Sequence, residues 1–223
     1  MQTNRNLLAI FILSLFTFSC NKKNEVIIAT SIIYPSYAAL KPGNYWIYQQ
    51  FDIDNTTGNA VAKNVFDSCY VEKDTTIKGH IYFKLLKPKP YTSPLVYEAS
   101  YLRDSLHYVI NSLGAIKLSS QEYASTFSEG YQIVAPNDTM IKFSSQMEDK
   151  ITTVNTPAGT LPTINCKYSY VYSSNSKNGV FANTTQYVHA RYAEKIGLVI
   201  ETLPFIKYQN NSTERRLLRY HLN

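Results

Sequence analysis

Hydrophobic positions fall into two regimes along this chain. From Leu7 to Phe18 (LLAIFILSLFTF) they run without interruption, whereas beyond Leu40 they alternate with polar residues over short stretches broken by turn residues. Side chains of a half-buried strand repeat with period two, so such alternation predicts strands. The clearest case is Ile164–Ser173, with Ile164, Cys166, Tyr168, Tyr170 and Tyr172 on one face and Asn165, Lys167, Ser169, Val171 and Ser173 on the other. Tyr45–Asp52, Val61–Lys73, Ile81–Lys87, Tyr97–Arg103 and Leu106–Ile110 read as strands in the first half. Tyr131–Ala135, Thr139–Ser144, Lys150–Asn155, Thr184–Tyr192, Gly197–Leu203 and Arg215–Leu222 follow in the second. Turn signals separate them at Asn55–Gly58, at Lys78-Gly79, tightly at Asp104-Ser105, and at Pro157–Gly159. Pro88, Pro90 and Pro94 place a loop between the third and fourth strands, because proline lacks a backbone donor. One helix is expected over Ser119–Phe127, where Ser119 and Glu122 have capping-box spacing.

Sequential turns between about a dozen short strands predict a mainly β chain. Its expected form is a single antiparallel meander sheet, strongly curved or barrel-like, with at most one or two short helices. Gly197 interrupts an apolar strand and so marks a bulge or a close backbone approach.

The apolar run near the start is too short for a comfortable membrane span. Arg5 before it, and Ser19 and Cys20 after it, fit a secretory signal of the bacterial lipoprotein kind, cut before the cysteine. The expected organisation is therefore a signal peptide over 1–19, a lipid-anchored tether over 20–39 attached through Cys20, and a β-rich domain over 40–223. A polar Asn21-Lys-Lys-Asn24 start suits the tether, although Val26-Ile27-Ile28 could add an edge strand. No aspartate follows Cys20, which leans towards the outer membrane. An integral outer-membrane barrel fits less well, since the chain ends Tyr220-His-Leu-Asn223 and a lipid anchor needs no barrel.

Composition narrows the class. Nineteen tyrosines and only 17% charged residues favour strands and exclude global disorder. The 22 basic against 16 acidic residues are dispersed, with Lys22-Lys23 and Arg215-Arg216 the only adjacent basic pairs, so no nucleic-acid patch is expected. Cys69 and Cys166 remain besides the anchor. An exported chain permits a disulfide between them, and two buried free thiols are equally natural.

Several segments together resemble uncharacterised outer-membrane lipoproteins of Bacteroidetes-type bacteria. They are Leu40-Lys-Pro-Gly-Asn-Tyr-Trp-Ile-Tyr48, Asp74-Thr-Thr-Ile-Lys-Gly79 with Tyr82, Tyr101-Leu-Arg-Asp104, Thr156-Pro-Ala-Gly-Thr-Leu161 leading into Cys166, and Tyr192-Ala-Glu-Lys-Ile-Gly-Leu-Val199. Leu161 departs from the aromatic expected there. The resemblance implies a curved antiparallel sheet with a helix against it, as in lipoprotein-carrier-like half-barrels, and implies no activity.

Chemistry-bearing patterns are sparse. His80, His107, His189 and His221 show no metal-ligand spacing, and no nucleophile elbow or glycine-rich phosphate loop is present. No cofactor and no catalytic or metal residue is expected. Asp52 with Asp54, and Glu148 with Asp149, are paired acids beside turns, where solvated carboxylates are routine; a hydrolase of envelope glycans would need two facing one cleft. Trp46 with Tyr48, like the Tyr168 row, reads as core. The expectation is a lipid-anchored envelope protein, not an enzyme, that binds or scaffolds. Its partners are the membrane through the anchor and an envelope protein, or an acyl chain or other apolar ligand carried in the concave face.

Overall fold

The computed structural model describes residues 32–135, 138–172, 184–204 and 211–223, with no side chains described at 132–135 and 138–140. The signal segment, Cys20, Val26–Ile28 and the turn after Ser173 lie outside these residues. From Ile33 onward the chain is one compact unit.

Twelve strands are formed among the described residues: β1 Tyr45–Asp54, β2 Ala60–Ile77, β3 His80–Pro88, β4 Tyr97–Ser105, β5 Tyr108–Asn111, β6 Ile116–Ser119, β7 Thr126–Ala135, β8 Asp138–Thr156, β9 Gly159–Tyr172, β10 Thr185–Ala193, β11 Gly197–Leu203 and β12 Asn211–His221. All pair antiparallel in a single sheet of order β6-β5-β4-β3-β2-β1-β12-β11-β10-β9-β8-β7, nearly closed and barrel-shaped. The meander expected from the turn spacing is thus present. What alternation could not show is the pairing of first strand with last, from Tyr45↔His221 to Asp54↔Asn211. That pairing moves the open seam to the middle of the chain, between β6 and β7.

Polarity follows the barrel wall. Trp46, Tyr48, Cys69, Val71, Val109, Leu118, Cys166 and Leu217 are buried in two apolar clusters, while ion pairs such as Lys63–Asp52, Lys84–Glu72 and Lys167–Glu148 lie towards solvent. A membrane-spanning barrel has the inverse arrangement, apolar outside and polar within.

Three elements differ from expectation. The helix over Ser119–Phe127 is absent; residues 120–125 form a bent loop that ends in β7. Ser119 Oγ accepts from the amides of Gln121 and Glu122, and Glu122 Oε1 accepts from those of Ala124 and Ser125. The capping residues therefore close two successive local turns instead of one helix end, which short polar side chains do readily. The tight connection expected at Asp104-Ser105 lies at Leu106-His107, because Asp104 and Ser105 still pair in the ladder with Val109 and Tyr108. The separate strands expected at Thr139–Ser144 and Lys150–Asn155 are one long β8, bent where the register shifts around Asp149 and Ile151 takes φ 58°. Past that bend the β8–β9 hairpin leans onto the barrel: the Ala158 amide donates to Leu217 O at 3.0 Å, and Val154, Ala158 and Leu161 pack on the first cluster.

Residues before Leu40 are part of the packing. Tyr37 and Ala38 join the second apolar cluster and Ala39 the first. This strap is tied by Lys195 N to Ser36 O (2.8 Å), by Asn44 Nδ2 to Ala39 O (2.7 Å) and by Ser36 Oγ to Asp104 Oδ2 (3.1 Å). Burial pushes the Asp104 carboxyl up, and the Ser36 hydroxyl opposes it.

Candidate functional site: the barrel cavity

Strand alternation aims one side chain in two at the barrel axis, and there the two apolar clusters do not quite meet. A cavity of about 180 Å³ lies between them. Trp46 and Tyr48 from β1, Cys69 from β2 and Leu85 from β3 wall one side; Leu102, Val109, Leu118, Tyr168 and Tyr192 wall the other; Ala38 and Leu40 of the strap also line it. A hydrocarbon-lined cavity of about 150 Å³ stays dry and takes up benzene. This one therefore suits a small apolar body and is far too small for a two-tailed lipid.

The polar atoms of the wall are mostly engaged. Trp46 Nε1 donates to Ile196 O (2.7 Å) and Tyr48 Oη to Leu198 O (2.9 Å). Gly197 sits between these acceptors with φ 100°, and a Cβ there would stand 3.4 Å from Ala38 O and 3.5 Å from the Trp46 ring. The close approach expected of this glycine is what the structure contains. Burial pushes the phenols of Tyr48, Tyr168 and Tyr192 up, so they remain neutral donors. Burial likewise pushes the Cys69 thiol up to about 12 and the Cys166 thiol up to about 11. Both cysteines are free and buried, and they belong to different clusters.

Two lysines line the cavity, Lys87 and Lys117. Lys87 belongs to a buried ionic network. Its Nζ lies 2.7 Å from Glu201 Oε1; Arg215, fully buried, places Nε 3.4 Å from Glu201 Oε2 and 3.5 Å from Asp67 Oδ2. Gln50 Nε2 donates to Asp67 at 2.9 Å and Arg215 Nη2 to Pro88 O at 3.5 Å. Burial alone would raise the Glu201 carboxyl, but Lys87 and Arg215 outweigh it and hold the group below its ordinary value. Two cations and two carboxylates leave this network neutral. Lys117, half-buried on β6, pairs with no carboxylate among the described residues.

A second, more open groove lies outside the barrel, under the bent β8–β9 hairpin, lined by Val154, Asn155, His189, Arg191, Ile200, Glu214 and Arg216. Its charges are closed on themselves: Arg191 is bidentate to Asp149 (3.3 and 3.2 Å), and Arg216 donates from Nε and Nη2 to the one oxygen Glu214 Oε2 (3.0 and 2.9 Å). Asn165 Nδ2 donates to Glu148 Oε2 (2.9 Å) and lies 2.8 Å from His189 Nδ1. Burial lowers the His189 imidazole against the opposing pull of Glu148, which favours the neutral ring that accepts from Asn165.

The candidates read from the sequence are thereby placed. Cys20 is outside the described residues. Of the histidines, His107 bonds Ser119 and His221 stacks on Tyr45. Asp54 accepts from the amides of Thr56 and Thr57 in the β1–β2 turn, which hold its carboxyl low, and Asp52 pairs with Lys63. Neither acid pair faces the cavity. Trp46, Tyr48 and Tyr168 are core residues as expected and wall the cavity as well. The residues missed are Lys87, Lys117 and Arg215. Arg215 lies two residues from Leu217 (Arg-Arg-Leu) and so shares its strand face, the signal by which period two turns it inward.

No known family matches the chain in sequence, and no curated protein does. Among solved structures, a candidate lipoprotein of Parabacteroides distasonis is similar over 85% of this chain and 100% of its own, with 14% identity and a TM-score of 0.52. A candidate exported protein of Bacteroides fragilis with a YmcC-like fold aligns over 84% and 99%, with 13% identity and a TM-score of 0.47. At such identity the first of these shows a shared architecture and nothing more: that chain adopts a fold like this nearly closed antiparallel sheet.

Proposed function

We propose that the protein is an exported, lipid-anchored protein of the cell envelope, held at the outer membrane through Cys20. Its barrel binds a small apolar molecule without transforming it. The observation that carries the binding role is the 180 Å³ cavity between the two apolar clusters, walled by the barrel and lined in part by the strap. A cavity retained in an otherwise close-packed interior forfeits dispersion contacts that an occupant restores. The Leu7–Cys20 signal supports the anchor, and the candidate lipoprotein of like architecture fits an envelope location. Among the described residues no carboxylate lines the cavity, and those of the network that reaches it through Lys87, Asp67 and Glu201, are committed to Arg215 and Lys87, which supports binding over hydrolysis.

Titration with hexanol, followed by amide NMR shifts, tests the reading. Shifts confined to the cavity wall and abolished by Ser100→Leu, which fills the cavity from β4, are expected. No shifts, or shifts that survive the filling substitution, overturn it.

A further inference from the structure

Within that binding reading, the two lysines of the cavity are not equivalent. Lys87 is neutralised by Glu201 at 2.7 Å, inside a network whose charges sum to zero. Lys117 lines the same cavity and has no carboxylate partner among the described residues. Its charge favours the thiolate of Cys166, but burial outweighs it and keeps that thiol protonated and hence uncharged. Seating a neutral occupant would take water from Lys117 and give nothing back, a cost that a bound anion offsets. Position adds to charge: β6 is one of the two edge strands, so Lys117 stands beside the seam while Trp46, Leu85 and Leu102 lie on walls formed by inner strands.

We propose that the cavity selects a monoanionic amphiphile, a short aliphatic or aromatic carboxylate of about six to ten non-hydrogen atoms, with its head on Lys117 and its apolar body between the two clusters. One uncompensated cation matches one negative charge. A phosphate dianion would need a second free cation, and Lys87 is already paired.

Matched probes of similar length test this: hexanoate and hexanol, titrated by calorimetry into the full chain carrying Cys20→Ala, so that no acyl group of its own competes. Hexanoate is expected to bind about tenfold tighter than hexanol, the ordinary worth of a charge-assisted contact. Lys117→Gln should remove that advantage while leaving hexanol affinity within about twofold, which also shows that the variant is folded. Equal affinity of the two probes for the wild type, or a Lys117→Gln variant that weakens both alike, overturns the carboxylate assignment and leaves the apolar cavity standing. Binding of neither probe overturns both readings.

Discussion

Arg215 is the group whose loss should be felt most. Its side chain is fully buried on β12, between Asp67 of β2 and Glu201 of β11, at a point where first and last strands pair. Arg215→Met keeps the length and apolar stem but deletes the cation. Glu201 retains Lys87; among the described residues Asp67 retains the amide of Gln50. Breaking a buried pair by removing one partner costs about 3–5 kcal/mol, because a charge is left inside without compensation. For a chain of this size that corresponds to a melting temperature lower by roughly 6–20 °C. Acid should shrink the difference. Glu201 has a lowered folded pKa, so its contribution to the wild type is complete above the ordinary carboxylate value and is lost as pH falls through the folded one. A carboxylate stranded in the variant is pushed up by its burial and escapes its penalty by binding a proton already at higher pH than Glu201 does in the wild type. Urea unfolding of both proteins at pH 7 and at pH 4 measures both effects. A loss below about 1 kcal/mol at pH 7, or a gap that widens on acidification, refutes the assignment of Arg215 as the centre of the closure.

Gly197→Ala should cost roughly 1–3 kcal/mol in the same unfolding assay, since its φ of 100° is strained for any residue with a Cβ; a change under about 0.5 kcal/mol would contradict this. Ser119→Ala removes the acceptor of two loop amides and the partner of His107, and a destabilisation of about 1 kcal/mol is expected. In native protein at pH 8, pKa values near 12 and 11 leave about one thiolate in ten thousand at Cys69 and one in a thousand at Cys166. Iodoacetamide should therefore label neither until urea is added, and rapid native labelling of either would show it to be accessible. Cells fed a fatty-acid analogue should label the wild type and not Cys20→Ala; label that persists in the variant refutes the anchor.

Strand positions and meander order were legible because each depends on neighbours in sequence. Period-two alternation in Ile164–Tyr172 reports a half-buried face, and turn chemistry at Lys78-Gly79 reports a hairpin; both are local. The helix at Ser119 failed on equally local grounds, since the same hydroxyl and carboxylate can close two turns as readily as one helix end. A barrel-like curl was legible from the run of sequential turns, but which strands close it was not. The pairing of Tyr45 with His221 is set by sheet curvature and by complementarity across the whole barrel, which no window of sequence contains. The site shared that fate. Trp46, Tyr48 and Tyr168 could be read as inward, but the space between them is a residue of packing from distant strands. The difference between Lys87 and Lys117 exists only once Glu201 has been brought beside one of them.

The β1–β12 pairing also orders the events of folding. Ten of the sheet's eleven strand junctions join sequence neighbours and can form as the chain emerges, whereas the eleventh waits for residues 211–221. Contacts so distant in sequence carry the largest loop-closure entropy and come late. Until then Asp67 and Glu201 stand without Arg215, and an incomplete chain keeps an unpaired edge at β1. The ionic core thus makes completeness a condition of stability: a chain truncated before Arg215 would strand Asp67 without its cation and leave β1 as an open edge, and limited proteolysis should cut it faster than the full chain.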